Sequence, residues 1–360
     1  MMLEVNNAER IDCHATTTPI LVGGIVLASL TEAIAGTALS LARNDMIGDV
    51  HATPDEFAWL DVGYTALKLI AFMAAPCLMS RIEARALVVG ATLVMGAASG
   101  IAAATTHLNV LIAIRAVQGF SGGILLVVGQ AMIFLAYPRA RQPLLQALFA
   151  MGAVVAPTTI APAFQGSLLD SQSWTWIFLS ITPLALMASG LLMLVQMPFF
   201  DAMKVPILYD WIGLCLISAA LLCLTYVLTQ GARWDWLGEP LVRWLTAIGI
   251  TALSIFLVQQ KFTRGSGLLD FALFASKEFT FAFIVSFLAG AALFGSAFLI
   301  PAFTVSVLAF TSTDAGQLLL PSGVLFIGTL LIAAFAIQVC KVPPLITVPF
   351  GIVMIMMAMW

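Results

Sequence analysis

Four ionisable side chains stand inside long apolar stretches: Glu32, Asp61, Lys68 and Arg115. An unpaired charge at the centre of a bilayer costs about 2.5–3.5 kcal/mol on insertion scales, so each of them needs a partner, water or a function. Glu32 lies about 12 residues into an apolar run that opens at Ile20, or roughly 18 Å along a helix. Lys68 lies about 11 residues into the next run, which opens at Phe57 and crosses the other way, so the two reach a similar depth. An ion pair between them is geometrically open. It reads either as a protonatable carboxylate that responds to a neighbouring cation and to solute, or as a structural pair that locks two helices together. Asp61 precedes Lys68 by two helical turns on the same face. It is nearer the outer interface, where it reads first as a solvated carboxylate and second as a site of proton uptake. Arg115 keeps its proton under all relevant conditions, so it can hold a carboxylate ionised or bind an anionic group, but it cannot titrate. Gln118 and Gly119 follow one turn later, and a glycine there lets another helix approach closely.

Other chemistries find little support. His14, His51 and His107 are scattered at polar ends, and no HExxH, GxSxG or His/Cys metal spacing occurs, whereas an enzyme needs clustered titratable groups. No enzyme activity, cofactor or metal is expected. Cys13, Cys77, Cys215, Cys223 and Cys340 form no CxxC pair and read as small hydrophobes. A net charge of −3 gives no pull toward nucleic acid.

The elements that must position these charges follow from composition. The chain has 360 residues, 61% hydrophobic and 9% charged, far below the roughly 25% charged of a soluble domain. Lipid is the solvent such a surface requires. Eleven stretches are long enough to span: about 20–41, 57–79, 86–104, 108–135, 144–168, 176–197, 211–229, 241–259, 279–303, 315–339 and 343–360. With the amino terminus in the cytoplasm, Arg10, Arg81, Arg85, Arg139, Arg141, Lys204, Lys261, Arg264, Lys277 and Lys341 fall inside, and Arg43, Arg233 and Arg243 outside. That bias selects this orientation over its inverse. Trp59, Trp174, Trp176, Trp234, Trp236 and Trp244 are expected at the outer interface, where indole rings prefer to sit. In the fifth stretch Pro157 and Pro162 remove backbone donors among small residues that run to Gly166, which predicts a bent helix suited to gating or to close packing.

Several segments, taken in order, resemble the fourteen-helix drug:proton antiporter branch of the major facilitator superfamily. Arg115-Ala-Val-Gln118-Gly119 is similar to that family's fourth-helix RxxQG motif, and Pro157–Gly166 resembles its fifth-helix antiporter motif. Ser173-Trp-Thr-Trp-Ile-Phe178 with Pro183 resembles the start of its sixth helix. Asp210-Trp-Ile-Gly213 and Gly231-Ala-Arg-Trp-Asp-Trp236 are similar to the flanks of its extra seventh helix. Pro301 and Ala315-Gly-Gln-Leu-Leu-Leu-Pro321 are similar to its ninth and tenth.

The resemblance implies an all-α, multi-pass membrane protein in a bacterial inner or plasma membrane. It implies a cytoplasmic segment 1–19, a six-helix bundle 20–198, two inserted helices 199–265 and the start of a second bundle 266–360. The odd helix count and the apolar run Leu345–Trp360 lead us to expect that this second bundle is incomplete. The implied activity is proton-coupled export of a small amphipathic solute through a cavity open alternately to each side. The partners would then be solute, protons and lipid, with a periplasmic adaptor left open. Three departures are visible, one of them in the fifth helix, where Ala161 and Gln165 stand at positions usually held by glycine. Thr31 stands where the family has a first-helix Asp, with the acid moved to Glu32. In the loop after the second helix Arg81 and Arg85 remain, but Ser80 stands where an Asp is usual and Glu83 where a Gly is usual. Those departures keep a second expectation alive, a membrane subunit or sensor that has the fold without transport.

Overall fold

The computed structural model describes residues 5–195, 210–263, 268 and 271–342, with side chains described from residue 19 onward. Its helices are α1 (Val5–Val50), α2 (Pro54–Arg81), α3 (Ala84–Ala103), α4 (Leu108–Ala136), α5 (Gln142–Ala150), α6 (Ala161–Ser171), α7 (Trp174–Leu194), α8 (Trp211–Gln230), α9 (Pro240–Phe262), α10 (Lys277–Ser306), α11 (Ser312–Gln317) and α12 (Leu320–Gln338). Among the described residues, ten helical segments are long and apolar enough to cross a membrane. They correspond to the first ten stretches expected from the sequence, and the eleventh, 343–360, lies outside the described residues. Helices are what an apolar chain forms in lipid, because each backbone N–H and C=O must find its partner within the segment.

α1 begins at Val5, well ahead of the apolar stretch that opens at Ile20, and three further features depart from the sequence reading, each for a local reason. α1 runs on to Val50, about two turns beyond the apolar stretch. Ala38, Ala42 and Met46, spaced four apart, are fully buried and carry its packing stripe outward, while Asn44 and Asp45 face solvent. The expected bend in the fifth span takes the form of a π-helical segment, Met151–Ile160, joining α5 to α6. Pro157 supplies no N–H there, and the ladder re-forms one residue longer, with the Ala161 N–H reaching the Ala156 carbonyl. The tenth span is split into α11 and α12 by a turn at Leu318–Leu319, just ahead of Pro321.

α2 packs along α4, α3 lies between α4 and α7, and α1 meets α7 and the fifth span. One buried core runs through these helices, with Leu21, Ile25, Phe57, Met95, Leu125 and Phe178 among its filled positions. Trp174, expected at the outer interface, is instead 2% exposed, and its indole N–H donates to the Asp49 carboxylate at 2.7 Å. Its position at the first turn of α7 aims it into the core rather than at lipid. Trp176, two residues on, keeps the interfacial exposure.

α8 and α9 form an antiparallel hairpin beside α2. Its inner end is tied by Asp210, which caps α8 by accepting from the Gly213 N–H at 2.7 Å and from the amides of Gln259 and Gln260 at 2.7 and 2.5 Å. Asp210→Ala removes the cap and the carboxylate that the Gln259 and Gln260 amides donate to. We expect a loss of about 1–3 kcal/mol, seen as faster amide exchange in the first turn of α8 while exchange in α3 stays as in the parent.

Candidate functional site

α2 carries the central feature. Asp61, Tyr64 and Lys68 recur at intervals of three and four residues, so they project from one face. That face looks toward α1 and α4. Lys68 forms an ion pair with Glu32 of α1, and the Tyr64 hydroxyl donates to the same carboxylate oxygen, Oε1, at 2.9 Å. The Glu32 side chain is 2% exposed and that of Lys68 25%, so the carboxylate is the inner member of the pair. A buried charge pair persists only when further hydrogen bonds satisfy it, and Tyr64 supplies one.

Arg115 of α4 completes the cluster. It is 1% exposed, its guanidinium lies 4.1 Å from the centre of the Tyr64 ring, and Nη1 donates to the Ala35 carbonyl at 2.7 Å and to Gln118 at 3.1 Å. Gln118 passes the network on by donating to the Ser99 hydroxyl of α3 at 2.8 Å. Arg115 Nε and Nη2 are buried without a hydrogen-bond partner among the described residues. Asp61 is half-buried and within electrostatic reach of Arg115 and Arg43. The carboxylate read from the sequence as interfacial and solvated thus stands at the outer edge of the cluster. The charges on α2 and α4 can gather because glycines let the helices close. A methyl at Gly119 would overlap the Tyr64 carbonyl, and one at Gly123 would meet the Lys68 carbonyl and the Ala71 side chain.

The remaining candidates lie elsewhere. Pro157 sits in the π segment, Pro162 in the first turn of α6, and Gly166 one turn beyond. Gly166 lies against the Ser312 backbone, and Gly316 of α11 lies against the Pro162 carbonyl, so this stretch is a close-packed seam with α11. Gln165 turns the other way and donates to the Ile34 carbonyl and the Thr37 hydroxyl of α1, at 2.8 and 2.9 Å. Arg81 and Arg85 do not join the cluster. Arg81 is about 20 Å from Lys68 along α2, with its guanidinium 5.6 Å from the Trp211 ring, and Arg85 donates to the Met193 carbonyl at 2.5 Å. Two apolar grooves of about 500 and 530 Å³ run along α3 and α4 past Val94 and Val117, and no cluster residue lines either of them.

Tyr64 and Ser99 were missed in the sequence. Tyr64 had a usable signal, since it falls between Asp61 and Lys68 on their helical face. Ser99 had none, because its partner is on another helix.

Comparison with known proteins agrees with this architecture. Residues 21–360 match the Major Facilitator Superfamily. The chain is similar to the colistin resistance protein EmrB of Acinetobacter baumannii, 27% identical over 284 residues, which are 78% of this chain and 54% of that protein. It is also similar to the multidrug export protein EmrB of Escherichia coli K12, 26% identical over 306 residues, 85% of this chain and 59% of that one. Multidrug resistance protein 3 of Bacillus subtilis is 26% identical over 314 residues, with the same two shares. The chain therefore spans between 54% and 59% of the length of these relatives. Among solved structures, the proton:xylose symporter XylE superposes with a TM-score of 0.52 at 14% identity, covering 90% of this chain and 69% of that one. That is a likeness of fold. With ten membrane-length helices among the described residues and a family match over nearly its whole length, this chain is a multi-pass membrane protein that belongs to the Major Facilitator Superfamily.

Proposed function

We propose that this chain is a proton-coupled exporter of small amphipathic compounds, working by alternating access in a cell membrane. The single observation that carries the reading is the buried cluster of Glu32, Tyr64, Lys68 and Arg115 at mid-depth. Charged groups are expensive there, and a purely structural bundle gains little from them that apolar packing would not supply. The relatives' names, multidrug export and colistin resistance, support the amphipathic substrate class.

The cluster has the parts such a cycle needs. Ionised Glu32 accepts from both Lys68 and Tyr64. A proton arriving on that carboxylate gives it one O–H donor beside its remaining acceptor oxygen and removes the charge that holds Lys68. The ammonium, on the more exposed side of the pair, is then free to turn to water or solute. Arg115 stays charged throughout and keeps α4 tied to α1 through the Ala35 carbonyl. Asp61, half-buried at the outer edge, is the carboxylate that would take up or release protons on that side. Domain limits at 20–198, 199–265 and 266–360 form part of the same proposal, with α8 and α9 as the pair between two bundles.

Transport of an amphipathic fluorescent dye by the purified chain in proteoliposomes tests this. Parent flux should follow an imposed proton gradient, and Glu32→Gln should leave a residual flux that ignores it. Gradient-driven flux in Glu32→Gln equal to the parent's would remove Glu32 from the mechanism.

A further inference from the structure

α2 has a second contact face. At about 100° per residue, Asp55, Trp59 and Val62 share a side roughly opposite to Asp61, Tyr64 and Lys68. The α8–α9 hairpin occupies that side. Arg233, in the turn between α8 and α9, pairs with Asp55 at 2.8 Å, and the Trp59 and Tyr226 rings lie 4.8 Å apart. Val62, Tyr226, Val227 and Val242 form a small core of their own, separate from that of the bundle. The turn is held in an unusual shape. Asp235 and Trp236 both adopt left-handed backbone, at φ 53° and 52°, and the Trp236 N–H donates back to the Gly231 carbonyl at 2.7 Å. Two consecutive non-glycine residues in that region persist only where their surroundings over-determine them.

We propose that this turn clamps the hairpin to α2 and sets the rotation of α2 about its own axis, so that the face opposite the charge cluster is a control surface for it. The buried Val62–Tyr226–Val242 contact supplies the attachment. The Asp55–Arg233 pair sets its register, since half-exposed ion pairs add little stability by themselves. The inference rests on reading the cluster as the coupling centre. None of the clamp residues belongs to that cluster.

Charge reversal tests the clamp more sharply than deletion, because it sets like charges against each other. Asp55→Lys and Arg233→Glu should each lower gradient-driven dye flux about threefold or more, a coupling at the low end for contacting groups. Each should also speed proteinase K cleavage within 231–239. The double reversal should bring both readouts back toward the parent. Trp59→Leu keeps an apolar side chain, though a smaller one, and drops the ring contact, and should lower flux in the same way if a reversed single fails to fold. Single reversals that free the turn yet leave flux unchanged would overturn the clamp, and so would a double reversal that recovers neither readout. Glu32→Gln separates the two ideas: if it behaves as the parent while the reversal cycle still shows loss and recovery, the coupling centre is wrong and with it the control surface, and what survives is the attachment of the hairpin to α2.

Discussion

Lys68→Met will destabilise the protein far more than Glu32→Gln, although the two remove opposite halves of one ion pair. The asymmetry comes from burial. Without Lys68, the Glu32 carboxylate stays 2% exposed, with the Tyr64 hydroxyl as its remaining hydrogen-bond donor. Breaking a buried pair from one side costs about 3–5 kcal/mol, because a charge is left without compensation. Without the carboxylate charge, Lys68 is already 25% exposed, and its long stem lets the ammonium reach water. The double variant Glu32→Gln/Lys68→Met should therefore recover most of the stability lost in Lys68→Met. Thermal unfolding in detergent, followed by tryptophan fluorescence, gives the three midpoints. If Lys68→Met unfolds at the parent's temperature, the pair is not the buried element described here. The same cycle also addresses the two readings the sequence left open. A structural lock predicts that the double variant still moves solute in response to a proton gradient, whereas a coupling pair predicts a stable protein that has lost that response.

Gly119→Ala should be among the most damaging single-methyl additions in the chain. The new methyl would overlap the Tyr64 carbonyl and crowd its Cα, and both are backbone atoms that no rotamer change can move aside. α2 and α4 must separate, at a cost of about 1–3 kcal/mol or more. The shift also moves the Tyr64 ring away from Arg115, where the cation now lies 4.1 Å from the ring centre. Gly190→Ala in α7 is the matched control, because a methyl there meets nothing within 4 Å. It should be neutral or gain up to about 1 kcal/mol from helix propensity. Thermal midpoints of the two variants, measured side by side, decide the matter. Equal effects would mean that the α2–α4 seam is looser than this packing requires.

Glu32 and Lys68 show how far a sequence reaches in a membrane protein. Their common depth could be worked out from residue counts, because lipid thickness and helix rise together convert position into height. Hydropathy likewise marked the ten spans, since the cost of placing apolar surface in water is a property of composition. Asp61 and Lys68 could be put on one face by helical period alone. The resemblance added the family, carried by Arg115-Ala-Val-Gln118-Gly119 and by the fifth-span prolines in their order along the chain.

Tertiary structure decided what depth and period leave free, which is the rotation of each helix about its axis and the identity of its neighbour. Hydropathy is nearly blind to that rotation when all faces are apolar; packing between helices sets it. So the chain's own pattern could not show that Arg115 would reach the Ala35 carbonyl, 80 residues away, or that Tyr64 would lie between Glu32 and Arg115. Nor could it show that Trp174 would turn inward to Asp49, or that Arg81 would meet Trp211 rather than the charge cluster. The segment around Pro157 announced a disturbed helix, but whether the ladder bends, breaks or lengthens depends on what neighbours satisfy the freed carbonyl. Sequence determined the solvent, the heights and the helices; side-chain packing between distant segments determined which charges meet.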